Sequence, residues 1–213
     1  MSARLWERSL DLARAALDSD YIQGIRKGTL DPEAYGQYSV QDVAYCHRGL
    51  DDWRRVATRA SHASVRSFAE ARVKSWQSYV EETYAAWHIT DPAAVRLCDA
   101  AQAYADFESE VATSYEPIYA VVVMTPCDRL WSWLARQLRA DATASNLYRF
   151  WIEENRDDSG AVHLEQAIDA NAELLDEDTA SKVFRRAMRG ELDFFRAACG
   201  QPSWISPDPP SPS

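Results

Sequence analysis

The 213-residue sequence predicts an all-α protein, and three observations carry that prediction. Only seven glycines are present, whereas a β-rich chain of this length needs more glycine for its turns. Apolar residues recur at intervals of three and four, which is typical of one face of a helix. Hydrophobic residues make up 46% and charged residues 26% of the chain, so there is enough apolar material for a sizeable core.

Helix starts and apolar spacing divide the chain into about eight helices. Apolar side chains at helical spacing over residues 5–17 mark the first. Asp31-Pro32 and Asp91-Pro92 each combine a capping residue with proline at the first helical position. The predicted helices lie near 2–18, 32–60, 64–87, 92–113, 115–139, 143–156, 160–175 and 178–198, and a short turn of helix at 20–26 is compatible with the pattern.

The predicted helices are long, and no internal repeat or linker separates them. Lengths near twenty residues favour a helical bundle over a solenoid. We therefore expect a single helical domain over residues 1–200. The remaining segment, 201–213, is rich in proline and serine, and we expect a disordered or loosely docked extension there.

Charge excludes two classes of partner. The formal net charge is −10, and basic residues cluster only in pairs such as Arg54-Arg55. Nucleic acids and anionic membranes both need a basic face, so neither is an expected partner. The N-terminus is charged within its first eight residues and lacks the apolar run of a signal peptide. Together with four scattered cysteines and no C-x-x-C pair, this predicts free thiols and a cytoplasmic location.

The four histidines do not form a metal-binding pattern. A di-iron carboxylate bundle uses Glu-x-x-His pairs on facing helices. Glu82 is six residues from His88, and His163 is two residues from Glu165, so neither pair has that spacing. We expect no metal site and no cofactor.

Three places put polar residues inside otherwise apolar helical stretches. In the first, Asp42 lies one turn before Tyr45 and Cys46, so the three share a helix face. If this face points inward, the carboxylate is buried and needs a partner. Spacing alone favours the alternative, a solvated carboxylate on the helix surface.

The second place is Pro126-Cys127 within the apolar stretch from Tyr119 to Leu138. Proline there either frees an upstream carbonyl or starts a new helix with Thr125 as its cap. In the second case the helix dipole lowers the pKa of the Cys127 thiol, which would then be the first of the four to be alkylated. The alternative, a buried and inert cysteine, is the more common situation.

The third place is Glu191, in the sequence Gly-Glu-Leu-Asp-Phe-Phe near the end of the last helix. Spacing does not decide whether this carboxyl faces solvent or a cavity.

Taken together, four sequence blocks resemble the TenA/thiaminase II family. The first runs from Tyr21 to Tyr45 and includes Gln41-Asp42-Val-Ala-Tyr45. In the second, Ala103-Tyr104 stands twenty-three residues before the cysteine of Pro126-Cys127. The third is the segment 148–153, and the fourth is the late glutamate, Glu191. Their order and spacing are similar to those of the family over residues 5–199.

The resemblance implies a haem-oxygenase-like helical bundle without haem, assembled as a homotetramer. It implies a C–N hydrolase, an aminopyrimidine aminohydrolase of thiamin salvage, which exchanges the amine of a 5-aminomethyl-pyrimidine for hydroxyl. Some members of the family cleave thiamin. By the same resemblance, Cys127 matches the nucleophile, Asp42 the carboxylate that holds the pyrimidine, and Glu191 the acid/base. The implied substrate-binding residues are Tyr38, Tyr45, Tyr104, Trp131 and Asn155.

Two positions depart from the family pattern. Trp131 and Asn155 stand where the family commonly has tyrosine. Trp131 lies one turn after Cys127, and its indole can only donate a hydrogen bond where a phenol could also accept one. Two alternatives therefore stay open. One is an enzyme of specialised metabolism that acts on another small amine or heterocycle, and the other is a non-catalytic binding or regulatory protein. An oxygen-activating metal enzyme of the same fold is a more distant alternative.

Overall fold

The structure is a computed structural model, and it describes residues 1–201. Within that range ten α-helices and three short 3₁₀ helices form, and no strand is present. The α-helices are α1 (Ser2–Glu7), α2 (Leu10–Leu17), α3 (Asp20–Lys27), α4 (Pro32–Arg59), α5 (Ala63–Ala86), α6 (Asp99–Ser114), α7 (Ile118–Gln137), α8 (Arg149–Glu154), α9 (Ser159–Ala170) and α10 (Glu177–Ala198). The predicted tail, apart from Gln201, lies outside the described residues.

The N-terminal region contains three helices where one helix and a turn were predicted. The first helix ends at Glu7, and the hydroxyl of the buried Ser9 donates a hydrogen bond to the Leu5 carbonyl at 3.0 Å. The helical turn expected at 20–26 is the full helix α3. Ser19 caps α3 through the amide of Ile22, and Gly28 ends it with a left-handed φ of 68°, which glycine adopts without steric cost. These two differences raise the number of helices from about eight to ten.

The prediction that a helix starts at residue 92 is wrong. Asp91-Pro92 opens only the 3₁₀ helix Pro92–Ala94, and α6 begins at Asp99. The side chain of Gln41 on α4 explains the delay: its amide donates to the Arg96 carbonyl at 2.8 Å and accepts the Cys98 amide at 2.6 Å. A partner distant in sequence thus holds the backbone outside the helical pattern.

The bundle is built around α7. Its first half is buried on every side, from Ile118 to Pro126, as expected of a helix packed between others. α9 and α10 pack against α7, while α4 packs against α5 and α6, and α10 also packs against α6. Buried apolar residues from all ten helices form one continuous core. Residues on the inner faces of α4, α6, α7 and α10 therefore meet in the middle of the bundle.

None of the described helices combines the length and the apolar character needed to cross a bilayer.

Candidate active site

A cavity of about 390 Å³ opens between α4, α5, α7 and the α8–α9 connection. Four of the eight predicted site residues line it, namely Asp42, Cys127, Trp131 and Asn155. The rest of its wall is formed by Cys46, Arg72, Ser75, Trp76, Tyr79, Asp128, Ser132, Glu154, Asp157, Ser159, Gly160 and Ala161. A recess of about 550 Å³ between α3 and α4 contains none of the eight predicted residues, and another of about 560 Å³ contains only Tyr38 among them.

Asp42 points inward, so the surface alternative is wrong for this carboxylate. It is 6% exposed, and it accepts a hydrogen bond from the Tyr79 hydroxyl on α5 at 3.0 Å. Burial raises the pKa of Asp42 to about 7, because the low-polarity surroundings disfavour the charged form. Tyr79 favours the charged form but does not compensate fully. Near neutral pH both the protonated and the ionised form of this carboxyl are therefore populated.

Cys127 does not lie at a helix start. α7 runs unbroken through Pro126, and the Thr125 hydroxyl donates to the Val121 carbonyl at 2.6 Å instead of capping a new helix. The proline only removes the amide that would pair with the Val122 carbonyl. The dipole of a helix N-terminus is therefore absent at this thiol.

The electrostatic surroundings of Cys127 also differ from the prediction. Burial, with the neighbouring Glu191 carboxyl, raises the pKa of the Cys127 thiol well above its usual range. A lowered thiol pKa was expected from the dipole, and that expectation is wrong. The resting group is the thiol, so reaction at sulfur needs a base in the cavity, and preferential alkylation at low pH is not expected.

Glu191 lies directly behind the cavity wall. It is 2% exposed, and its Oε2 accepts the indole N–H of Trp131 at 3.1 Å. Burial is the main cause that raises the pKa of Glu191 to about 8, while the indole and Tyr104 counteract it. Glu191 is therefore mostly protonated at neutral pH and can act as a proton donor. Trp131, which donates this hydrogen bond, lines the cavity.

Tyr45 and Tyr104 form a second layer and do not line the cavity. Their rings stack with centroids 4.9 Å apart, and the Tyr45 hydroxyl donates to Oε1 of Glu108 at 2.6 Å. Gly190 permits the close approach of Tyr104 to α10, because a Cβ there would lie 2.5 Å from the Tyr104 ring. The two tyrosines thus support the residues around Glu191.

Tyr38 and Asn155 have different surroundings. Tyr38 is buried in an aromatic cluster, 5.8 Å from Trp131 and 4.6 Å from Phe194 between ring centroids, and it does not line the cavity. Asn155 does line it, although its amide donates to the Trp151 carbonyl at 2.9 Å. Tyr38 therefore packs beside Trp131, while Asn155 caps the C-terminal end of α8.

Sequence patterns missed an ion pair in the cavity wall. Arg72 on α5 and Asp128 on α7 pair at 3.0 Å, with side chains 14% and 26% exposed. The guanidinium lies over the faces of Trp53 and Trp76, 5.8 and 5.6 Å from their centroids. Gly160 makes room for Asp128, since a Cβ at residue 160 would lie 2.8 Å from the carboxylate. No local spacing connects residues 56 positions apart.

Over residues 1–201, no three or more His, Cys, Asp or Glu side chains come together in a way that could hold a metal ion.

Stability should fall as pH rises from about 5 to 8. The pKa values of Asp42 and Glu191 are raised to about 7 and about 8, so the folded chain binds more protons than the unfolded chain in this range. Their contribution is present at low pH and lost as pH passes the folded values. We expect the melting temperature to decrease over this interval, and less so in the double variant Asp42→Asn, Glu191→Gln. An unchanged pH dependence in that variant would contradict the assignment.

The fold has known counterparts among solved structures. No protein-family model and no curated protein matches the chain. Among solved structures, a TenA-family transcription regulator from Silicibacter sp. TM1040 is 19% identical with a TM-score of 0.78, covering 92% of this chain and 95% of that one. A TenA homologue from P. horikoshii is 16% identical with a TM-score of 0.79, covering 92% and 96%.

Two further neighbours define the fold more broadly. A protein named as a TenA-like thiaminase, from Sulfolobus solfataricus, is 17% identical with a TM-score of 0.73, and the match covers 94% of this chain and 97% of that one. Heme oxygenase-1 from the cyanobacterium Synechocystis, solved with heme, is 16% identical with a TM-score of 0.60, covering 93% and 92%. These likenesses confirm the predicted all-α, haem-oxygenase-like fold.

Proposed function

We propose that this chain is a TenA-type hydrolase that replaces the amine of a 5-aminomethyl-pyrimidine by hydroxyl, as in thiamin salvage. The observation that carries the proposal is the arrangement of three groups. Cys127 and Asp42 line one cavity, and Glu191 is joined to that cavity by the Trp131 indole. A nucleophile, a carboxylate for the ring and a protonated acid are the groups that this reaction requires.

The first step is addition of sulfur to the ring. Asp42 is about half ionised at neutral pH, because its pKa is raised to about 7, and it hydrogen-bonds to the pyrimidine. The Cys127 thiol gives its proton to this carboxylate as the C–S bond forms. Asp42 thereby supplies the base that the thiol needs.

The second step expels the amine. Electrons released from the ring break the C–N bond at the 5-methylene carbon, and Glu191 gives its proton to the leaving nitrogen. Its raised pKa, about 8, keeps it protonated until this point. Water then adds to the exocyclic methylene and loses a proton to Glu191. The C–S bond breaks, and Asp42 returns its proton to sulfur, so the net reaction consumes water and releases ammonia.

A second candidate function has one observation in its favour. Trp131 adds bulk beside Cys127, and its only hydrogen-bond donor is directed at Glu191. The cavity therefore differs from one that has a tyrosine hydroxyl at this position. An enzyme that acts on another small amine or heterocycle fits this wall. A non-catalytic regulator is the third candidate, and one structural neighbour is named a transcription regulator.

One experiment separates these candidates. The purified protein is incubated with the aminomethyl-pyrimidine, with thiamin and with a panel of small heterocyclic amines, and ammonia and products are measured by mass spectrometry. Release of ammonia with formation of the hydroxymethyl product supports the first proposal. Turnover of other amines alone would favour the second, and binding without turnover of any compound would favour the third.

We also propose a homotetramer, located in the cytoplasm. Light scattering at micromolar concentration is expected to give four times the chain mass of 24.1 kDa. A mass equal to one chain would contradict this assembly.

A further inference from the structure

Arg72 is a cavity side chain that the proposed reaction does not use. It belongs to α5, is 14% exposed, and donates from Nη2 to Oδ2 of Asp128 at 3.0 Å. Its guanidinium also lies over the rings of Trp53 and Trp76, 5.8 and 5.6 Å from their centroids. A charged group held by an ion pair and two aromatic rings keeps one orientation, as a group that recognises a ligand must.

The guanidinium of Arg72 has donors that its protein contacts do not use. A guanidinium carries five N–H groups and no acceptor. One of them donates to Asp128, while the Nε–H is buried without a hydrogen-bond partner. Unpaired donors are costly in a buried setting. Because Arg72 lines the cavity, an acceptor on a bound molecule can pair with one of its N–H groups.

The charge of the cavity wall decides which kind of acceptor fits. Among residues 1–201, Arg72 is the one basic side chain that lines the cavity, whereas four carboxyls line it, namely Asp42, Asp128, Glu154 and Asp157. Asp128 already neutralises the guanidinium, so an anionic ligand group would be repelled by the remaining carboxyls. A neutral acceptor such as a carbonyl oxygen meets no such repulsion.

The spacing of side chains along α5 sets the size of the ligand. Arg72, Ser75, Trp76 and Tyr79 line the cavity and share one face of this helix. Tyr79 donates to Asp42 at 3.0 Å, and its attachment point lies about 10 Å along the helix axis from that of Arg72. A hydrogen bond of about 2.9 Å at each end leaves about 4–5 Å, which matches one pyrimidine ring with its exocyclic groups.

We propose that Arg72 is a specificity-determining residue that donates a hydrogen bond to a carbonyl oxygen of the substrate ring, so that the substrates are aminomethyl-pyrimidinones. The inference rests on the proposed function, because it takes Asp42 as the carboxylate that holds the other side of the ring. In a 4-amino-pyrimidin-2-one, the 4-amino group donates to Asp42 and the 2-oxygen accepts from Arg72. The 5-aminomethyl group remains the reacting substituent.

The first test measures binding and needs no turnover. The probes are 5-methylcytosine and 4-amino-2,5-dimethylpyrimidine, neither of which carries a leaving amine. The first has a carbonyl oxygen at C2, with its N1–H, where the second has a methyl group. By isothermal titration calorimetry, the wild type should bind 5-methylcytosine at least about tenfold more tightly. Arg72→Met should abolish this preference, because methionine is a long side chain without a donor. Equal affinities in the wild type, or a preference that survives in Arg72→Met, would overturn the proposal.

Arg129→Met is the matched control for this substitution. Arg129 pairs with Glu165 at 2.9 Å and lies over the ring of Trp6, 4.2 Å from its centroid, but it does not line the cavity. Its replacement should leave the preference at the wild-type value. If Arg72→Met does not fold because Asp128 is left unpaired, the double variant Arg72→Met, Asp128→Asn removes that charge, and the same loss of preference is expected.

Asp128→Asn tests the charge argument. The wild type should bind 4-amino-5-methylpyrimidine-2-carboxylate at least about tenfold more weakly than 5-methylcytosine, because the guanidinium is already neutralised. In Asp128→Asn that neutralisation is lost, so the variant should bind the carboxylate at least about threefold more tightly than the wild type does. A wild type that prefers the carboxylate to 5-methylcytosine would overturn the proposed substrate class.

Turnover separates this inference from the proposed function. The substrates are 5-aminomethylcytosine and the compound with a 2-methyl group in place of the carbonyl oxygen. The wild-type kcat/KM should favour the carbonyl compound at least about tenfold, and Arg72→Met should lose this advantage through KM with kcat little changed. If neither compound is turned over while the binding preference depends on Arg72, only the proposed function is refuted. If both are turned over equally well, only the role of Arg72 is refuted.

Discussion

Replacement of Cys127 by serine should lower turnover of the aminomethyl-pyrimidine by at least about 10³-fold, because the covalent step needs sulfur. The hydroxyl is a weaker nucleophile and a weaker acid than the thiol, so Asp42 would have to deprotonate a less acidic group. The fold should survive, since Cys127 is only half-buried at a cavity and the two side chains are similar in size. Initial rates and melting temperatures of the two proteins check both parts.

Cys199→Ser is the matched control for this substitution. Cys199 follows α10 and is also half-buried, but it does not line the cavity, so its loss should leave turnover unchanged. Mass spectrometry of trapped reaction mixtures should find substrate-derived mass on the peptide containing Cys127 and on no other cysteine. Wild-type turnover in Cys127→Ser would end the covalent mechanism.

The position of Asp42 shows how much of the site followed from sequence. Spacing correctly placed Asp42, Tyr45 and Cys46 on one face of α4, but spacing does not show where that face points. It points inward because α4 packs against both α5 and α6. The rarity of buried charged side chains favoured the solvated alternative, and the three-dimensional packing overrode it.

α7 shows a second limit of prediction from sequence. The sequence located the helix and its proline, yet it left two backbone arrangements open around Cys127. The structure keeps the helix intact, since Pro126 costs one hydrogen bond while both sides of the helix are packed into the core. Tertiary packing thus outweighed a local helix-breaking signal, and it removed the helix terminus that would have activated the thiol.

Two contacts between distant segments could not be predicted from the sequence. Arg72 reaches Asp128 across 56 positions, and Tyr45 reaches Glu108 across 63. Neither pair has a sequence spacing, because the contacts depend on how α4, α5, α6 and α7 pack. Only the crossing of the helices in the finished bundle defines these partners.

Glu191→Gln should lower kcat by about 10²- to 10⁴-fold, the range of a lost general acid, and should change the pH profile as well. In the wild type the reaction needs protonated Glu191, so kcat should fall as pH rises through its pKa of about 8. It also needs ionised Asp42, so kcat should fall as pH drops through that group's pKa of about 7. The result is a narrow, bell-shaped dependence of kcat on pH. Its two apparent pKa values belong to Asp42 and Glu191 as a coupled pair.

Trp131→Phe provides a second, independent change of the same profile. It keeps an aromatic ring but removes the N–H that Glu191 accepts at 3.1 Å. Loss of a donor to the charged form should raise the pKa of Glu191, so the alkaline limb should move to higher pH while the acid limb stays. The exposed Glu173→Gln, outside the cavity, serves as the control and should leave the bell unchanged. An alkaline limb that persists in Glu191→Gln would assign the acid to another residue, because glutamine cannot titrate there.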